Sequence, residues 1–122
     1  MDKLEFDKLK TKIDKICIEL GLKKIERPEF QVIFYCIDEN NPIWDNTKMC
    51  PSAIVCIDSQ FKFIQFYNQI HPVRGNKVYL DGEKSATHLS TVYYYKNIIK
   101  QTIIDYKQFL LDCKLDSLNK DF

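Results

Sequence analysis

Apolar residues recur at spacings of three and four along the first twenty positions: Phe6, Leu9, Ile13, Ile16, Cys17 and Leu20. That period puts them on one stripe of a helix and leaves lysines and acids on the other side. Asp2 followed by Glu5 has the form of a capping-box start, and Gly21 stands where a helix end favours a left-handed residue. The pattern predicts a helix from Lys3 to Leu20.

Pro28 breaks the helical pattern, and Phe30 to Ile37 is a nearly continuous apolar, β-branched and aromatic run. Such a run predicts a central strand covered on both faces. Ser52 to Ile57 reads in the same way. Phe61 to Tyr67 follows at once, so the two runs predict a hairpin turning through Asp58-Ser59. Lys77 to Leu80 is a shorter strand between the turn signals Arg74-Gly75-Asn76 and Asp81-Gly82.

At the C-terminal end two signals compete. Val92-Tyr93-Tyr94-Tyr95 has strand propensity, whereas Leu89, Val92, Lys96, Ile99, Ile103, Tyr106, Leu110 and Cys113 keep a helical phase through the tyrosines. Phase predicts one helix from Thr87 to Leu118, capped by Ser85 or Thr87. The elements together make an α+β fold: an N-terminal helix, an antiparallel sheet of about four strands, and a long C-terminal helix packed on the sheet.

Composition agrees with a single domain over residues 1–122. The chain has 45% hydrophobic and 29% charged residues, the balance of a folded globular protein. At 122 residues it can bury a core without staples, and a second domain would starve both. The first residues alternate in charge where a secretory signal needs an apolar core, and the longest apolar run, Val32 to Ile37, falls far short of the roughly 20 residues that cross a bilayer. No membrane association is expected. Cys17, Cys36, Cys50, Cys56 and Cys113 form an odd set without a C-x-x-C pair, so reduced thiols in a cytoplasmic protein are expected.

Net charge is +1, no segment is a basic arm, and of 18 basic residues only Arg27 and Arg74 are arginine. The planar fork that reads phosphates and guanine edges is almost absent, which weakens the case for nucleic-acid recognition.

Each candidate chemistry has a plainer rival. Asp38, Glu39, Asp45 and Asp58 stand near strand ends, where carboxylates can hold Mg²⁺ for phosphodiester hydrolysis. Aspartates there also serve as turn residues, and that reading is preferred. Cys50, Cys56, His71 and His88 could supply zinc ligands, but their spacings match no compact knuckle. Cys50 with His71 or His88 offers a nucleophile and base, yet nothing near Cys50 lowers its pKa. No metal, cofactor or catalytic set is therefore assigned.

Phe61-Lys62-Phe63-Ile64-Gln65-Phe66-Tyr67 interleaves a basic residue with aromatics, as base-stacking sheets do. Lys62, Phe63, Tyr67 and Lys77 are its candidate RNA or single-stranded DNA contacts, although an aromatic core strand explains the run more simply. Trp44 lies in a polar loop of about a dozen residues, longer than most connections in compact domains. Three consecutive tyrosines, Tyr93, Tyr94 and Tyr95, cannot all enter one core from a helix or a strand. At least one ring faces outward, a natural contact for another protein or a second copy of the chain.

The leading expectation is a non-enzymatic protein-binding module that presents Trp44, Tyr93, Tyr94, Tyr95 and Arg74 to a protein or ribonucleoprotein. In general character such a domain resembles the small inhibitors and immunity proteins carried by phages and mobile elements. The alternatives are an RNA or single-stranded DNA binder and, behind it, a small metal-dependent nuclease using Asp38, Asp58 and a histidine. A homodimer through the C-terminal helix is a further expectation.

Overall fold

The computed structural model describes residues 2–37, 53–73, 77–82, 84–86 and 92–120, with backbone alone at 72–73, 77–79, 81, 84, 113–114 and 117–120. Helix α1 spans Lys3–Glu19. Asp2 caps it, its Oδ1 accepting from the Glu5 backbone N–H at 2.8 Å. At the other end Gly21 takes a φ of 83°, the Leu22 N–H donates to the Cys17 carbonyl and the Gly21 N–H to that of Ile18. This double closure satisfies the last helical carbonyls, and only a residue without a Cβ adopts that φ without strain. Phe6, Leu9, Ile13 and Cys17 of the expected stripe are buried, and Ile16 and Leu20 are partly so.

Strand β1 (Lys23–Arg27) follows, then a single 3-10 turn at Pro28–Phe30, and strands β2 (Val32–Cys36), β3 (Ala53–Asp58) and β4 (Phe63–Phe66). Strands β5 (Gln69–Val73) and β6 (Lys77–Asp81) form a two-stranded ribbon, and β7 (Lys84–Ser85) adds to β4. Among the described residues the main sheet is antiparallel throughout, in the order β1-β2-β3-β4-β7. The central strand is β3, and β2 lies beside it with Phe34, Tyr35 and Cys36 all buried. Helix α2 spans Val92–Lys120, so the tyrosine triplet is helical as phase requires.

Several expectations are corrected. The chain returns from β3 to β4 through Ser59-Gln60-Phe61-Lys62, because the register pairs Asp58 with Phe63. Lys62 supplies the positive φ of 53°, and the Asp58 carboxylate accepts from the Phe61 N–H at 3.0 Å. Strands β1, β5 and β7 were not expected. Ser85, expected as a cap of α2, lies in β7, and Thr87 lies outside the described residues. Cys36 is disulfide-bonded, so the expectation of uniformly reduced thiols fails there, while Cys17 and Cys56 are free.

One cross-strand row ties the layers together. Lys24, Tyr35, Val55 and Phe66 are successive partners from β1 to β4, so they share a sheet face. On that face the Tyr35 hydroxyl donates to Asp14 of α1 at 2.5 Å, and Lys24 pairs with the same carboxylate at 2.9 Å. Farther along, Phe66 stacks on Tyr95 of α2 with ring centroids 5.3 Å apart. Both helices therefore rest on one face of the sheet, α1 toward β1 and β2 and α2 toward β4. Lys10 extends the α1 contact, donating to the Ser59 hydroxyl at 3.2 Å. Among the described residues no helix is long and apolar enough to cross a membrane.

Candidate protein-binding surface

Helix geometry separates the three tyrosines, since successive side chains diverge by about 100°. Tyr95 turns inward, 3% exposed, and its stack on Phe66 makes it a core residue. As an expected partner contact it is thereby removed from the surface. Tyr93 is 78% exposed and Tyr94 53%, so two rings face outward. The buried line of α2 is Tyr95, Ile99, Thr102 and Tyr106, flanked by the partly buried Val92, Ile98, Ile103 and Phe109. It is rotated from the expected phase, which took in Lys96 and Leu110 and left out Tyr95 and Thr102: Lys96 is half-buried and Leu110 37% exposed, while Tyr95 and Thr102 are buried. Thr102 satisfies its hydroxyl on the Ile98 carbonyl at 2.8 Å.

Tyr93 stands at a groove between the two helices, a hollow of about 290 Å³. Ile16 and Val92 supply its apolar lining, and Lys12, Lys15 and Lys96 outnumber Glu19 around it. The groove therefore combines an exposed aromatic ring with an excess of positive charge. Tyr94 borders a second hollow on the other side of α2, beside Asn68, Asn97 and Gln101.

The other expected residues are scattered. Lys62 and Phe63 lie together at the β3–β4 hairpin, Lys62 exposed and Phe63 37% exposed. Tyr67 is 9% exposed and packs in the core, so it offers no face to a base. Lys77 begins β6, and its side chain is outside the described set. Trp44, Arg74, Asp38, Cys50 and His88 all lie outside the described residues. His71 is on β5 and exposed. No group of three or more metal-ligating side chains occurs among the described residues. Asp58, expected as a turn residue or a metal ligand, is engaged with the Phe61 N–H in the hairpin.

Two surface features escaped the sequence reading. Phe61, 74% exposed, tops the hairpin beside Lys62. Arg27 lines a cleft of about 250 Å³ with Glu29 and Asp58 over Phe30, Val32 and Phe34. Finding it required strand β1, which carries Arg27 at its end. Alternation along Lys23-Lys24-Ile25-Glu26-Arg27 was the available signal, and one apolar residue carries it weakly.

The free thiols are unsuited to nucleophilic work. Burial pushes the Cys56 thiol up to about 11, the Asp58 charge adding to the rise and a hydrogen bond from Tyr67 opposing it. Burial raises Cys17 as well, with the Asp14 charge adding to it. Comparison with protein-family models, with curated proteins and with solved structures found no match to this chain.

Proposed function

We propose that this chain is a non-enzymatic protein-binding module, an antagonist of the inhibitor or immunity kind that phages and mobile elements carry, and that it docks a macromolecular partner at the Tyr93 groove. The supporting observation is Tyr93 itself: a ring 78% exposed beside a hollow where three lysines face one glutamate. Exposed aromatic rings are favoured anchors at protein interfaces, and the lysines suit a partner segment that carries acidic side chains around an apolar one. The cytoplasm is the proposed place of action: the free thiols of Cys17 and Cys56 suit it, and the disulfide at Cys36 weighs against it. The test is capture of partners on immobilised wild type and on Tyr93→Ala/Tyr94→Ala. Loss of a partner with the variant supports the site, and equal recovery of every partner by both removes it.

A second reading, binding of single-stranded nucleic acid, draws on the hairpin. Phe61 and Phe63 are exposed there on either side of Lys62. A gel shift at low salt that shows no complex with RNA or single-stranded DNA disposes of it.

A further inference from the structure

The side of α2 opposite its core line carries uncharged side chains, and among the described residues no strand or helix of the domain buries it. Asn97, Gln101, Ile104, Gln108, Leu111 and Leu115 follow one another at spacings of four, three, four, three and four, and all six are exposed. Ile104 is 57% exposed, and Leu111 and Leu115 are 50% exposed each. This spacing is the heptad seam of a coiled coil, with Gln101, Gln108 and Leu115 at its a positions and Asn97, Ile104 and Leu111 at its d positions. Three large aliphatic side chains aligned on one exposed face form an apolar stripe of the kind that a partner helix covers.

The flanks decide the occupant. Lys100 and Lys107 precede the two glutamines, at g, and Asp105 and Asp112 follow Ile104 and Leu111, at e. In a parallel pair each g residue meets the e residue five places on in the other helix. Lys100 then faces Asp105 of the second copy, Lys107 faces Asp112 of the second copy, and both contacts occur twice by symmetry. In an antiparallel pair g meets g and e meets e, which sets lysine against lysine and aspartate against aspartate. We propose that the outer face of α2 pairs in parallel, and in register, with the same face of a second copy of this chain.

Local bonds suit that arrangement. Gln101 donates to Asp105 at 2.8 Å and Gln108 to Asp112 at 2.9 Å, so each a-position amide steadies the acid at the rim of the seam. Polar a positions lower the stability of a coiled coil but fix its register. With three aliphatic positions per chain, the product is a concentration-dependent dimer. The seam lies opposite Tyr95, Ile99 and Tyr106, so the two domains sit on the outer sides of the helix pair about a twofold axis along it. This inference goes beyond the Tyr93 groove and does not depend on it.

Sedimentation equilibrium of the full chain tests it, with circular dichroism confirming the fold of each exposed-site variant. Wild type shifts from monomer to dimer as concentration rises, and Ile104→Lys/Leu111→Lys stays monomeric. Lys100→Asp/Lys107→Asp and Asp105→Lys/Asp112→Lys each weaken self-association by about tenfold, four attractive contacts having become repulsive. An equimolar mixture of those two variants recovers the dimer. Leu115→Cys gives an inter-chain disulfide under mild oxidation beyond any seen in wild type, because residue 115 meets its own copy only in the parallel register. A wild type monomeric up to about 1 mM overturns the proposal, and so does a dimer indifferent to the lysine substitutions. Failure of the mixture to recover, or absence of the Leu115→Cys cross-link, overturns the charge pairing and the parallel register.

Discussion

Tyr35 donates its hydroxyl proton to the Asp14 carboxylate across 2.5 Å, joining strand β2 to helix α1. Burial pushes the Asp14 carboxyl up, but the Tyr35 hydrogen bond, the Lys24 ammonium and the charge of Lys10 outweigh it, leaving the group below its ordinary value of 3.8. Lys24 is raised by the same pairing, chiefly through its hydrogen bond to Asp14. A carboxyl depressed in the folded state stabilises it above the unfolded value, and that contribution is lost as pH falls through the folded value. Asp14→Asn therefore lowers the urea midpoint at pH 7, and the gap to wild type closes as the pH drops below 3.8. A gap that stays constant from neutral pH to below that value contradicts the assignment.

Tyr35→Phe isolates the hydrogen bond from the packing. The ring stays in its buried place and only the donor is lost. Because Asp14 is partly exposed, water replaces some of the interaction, and the cost is about 1 kcal/mol. The melting temperature should fall by about 3–5 °C, the response of a domain of this size to that change. No change in melting temperature shows that the bond does not join helix to sheet in solution.

The tyrosine triplet separates core from surface within two residues. Tyr95→Ala empties a ring that stacks on Phe66 and should cost about 3–5 kcal/mol. Tyr93→Ala removes an exposed ring and should stay within about 0.5 kcal/mol of wild type. Urea denaturation of both variants checks the difference. Equal losses show that the helix is rotated from the orientation described.

What was legible in the sequence follows from how each element announces itself. Helix α1 has a regular stripe, a capping aspartate and a terminal glycine, all local signals, and it lies where the pattern places it. Strands β2, β3 and β4 show as apolar runs. Strand β1 does not, because Ile25 is its single apolar residue and it forms one edge of the sheet. Strand β5 contains Gln69, His71 and Pro72, which break an apolar strand pattern, and it is defined by its pairing with the neighbouring β6. In α2 the existence of the helix was legible and its rotation was not, since the buried line takes in Tyr95 and also Thr102, whose hydroxyl is satisfied on the Ile98 carbonyl. The outward tyrosines followed from geometry alone, whereas the groove beside Tyr93 required the placement of α1.

Gly82 tests a close approach that no pattern foretells. A Cβ built there meets the Asn68 side-chain oxygen at 2.7 Å and the Asn68 backbone nitrogen at 2.9 Å, and crowds the Phe66 carbonyl more closely still. The Gly82 carbonyl also accepts from the Gln65 side chain at 2.5 Å, so the segment leading into β7 is held on β4. Two of the three crowding atoms are backbone and cannot swing away. Gly82→Ala should cost about 1–3 kcal/mol, measured as a lower urea midpoint, and a midpoint equal to wild type removes the close approach.

The buried thiols give a measurement of opening. Cys56 is pushed up to about 11 by burial, against an ordinary 9.0, so at any pH below both values its thiolate is about a hundredfold scarcer than that of an exposed cysteine. Cys17 is raised in the same direction by its own burial in α1, with no exposed surface. Both should resist iodoacetamide at pH 8 in the folded protein and react at once in urea, read by mass spectrometry of the peptides that carry them. If exchange between open and closed forms is fast, the labelling rate tracks the open population, so Tyr95→Ala should label about tenfold faster for each 1.4 kcal/mol of stability it loses. Equal protection in that variant and in wild type separates the thiols from the core that Tyr95 supports, and labelling of native wild type at the rate of a free thiol contradicts their burial.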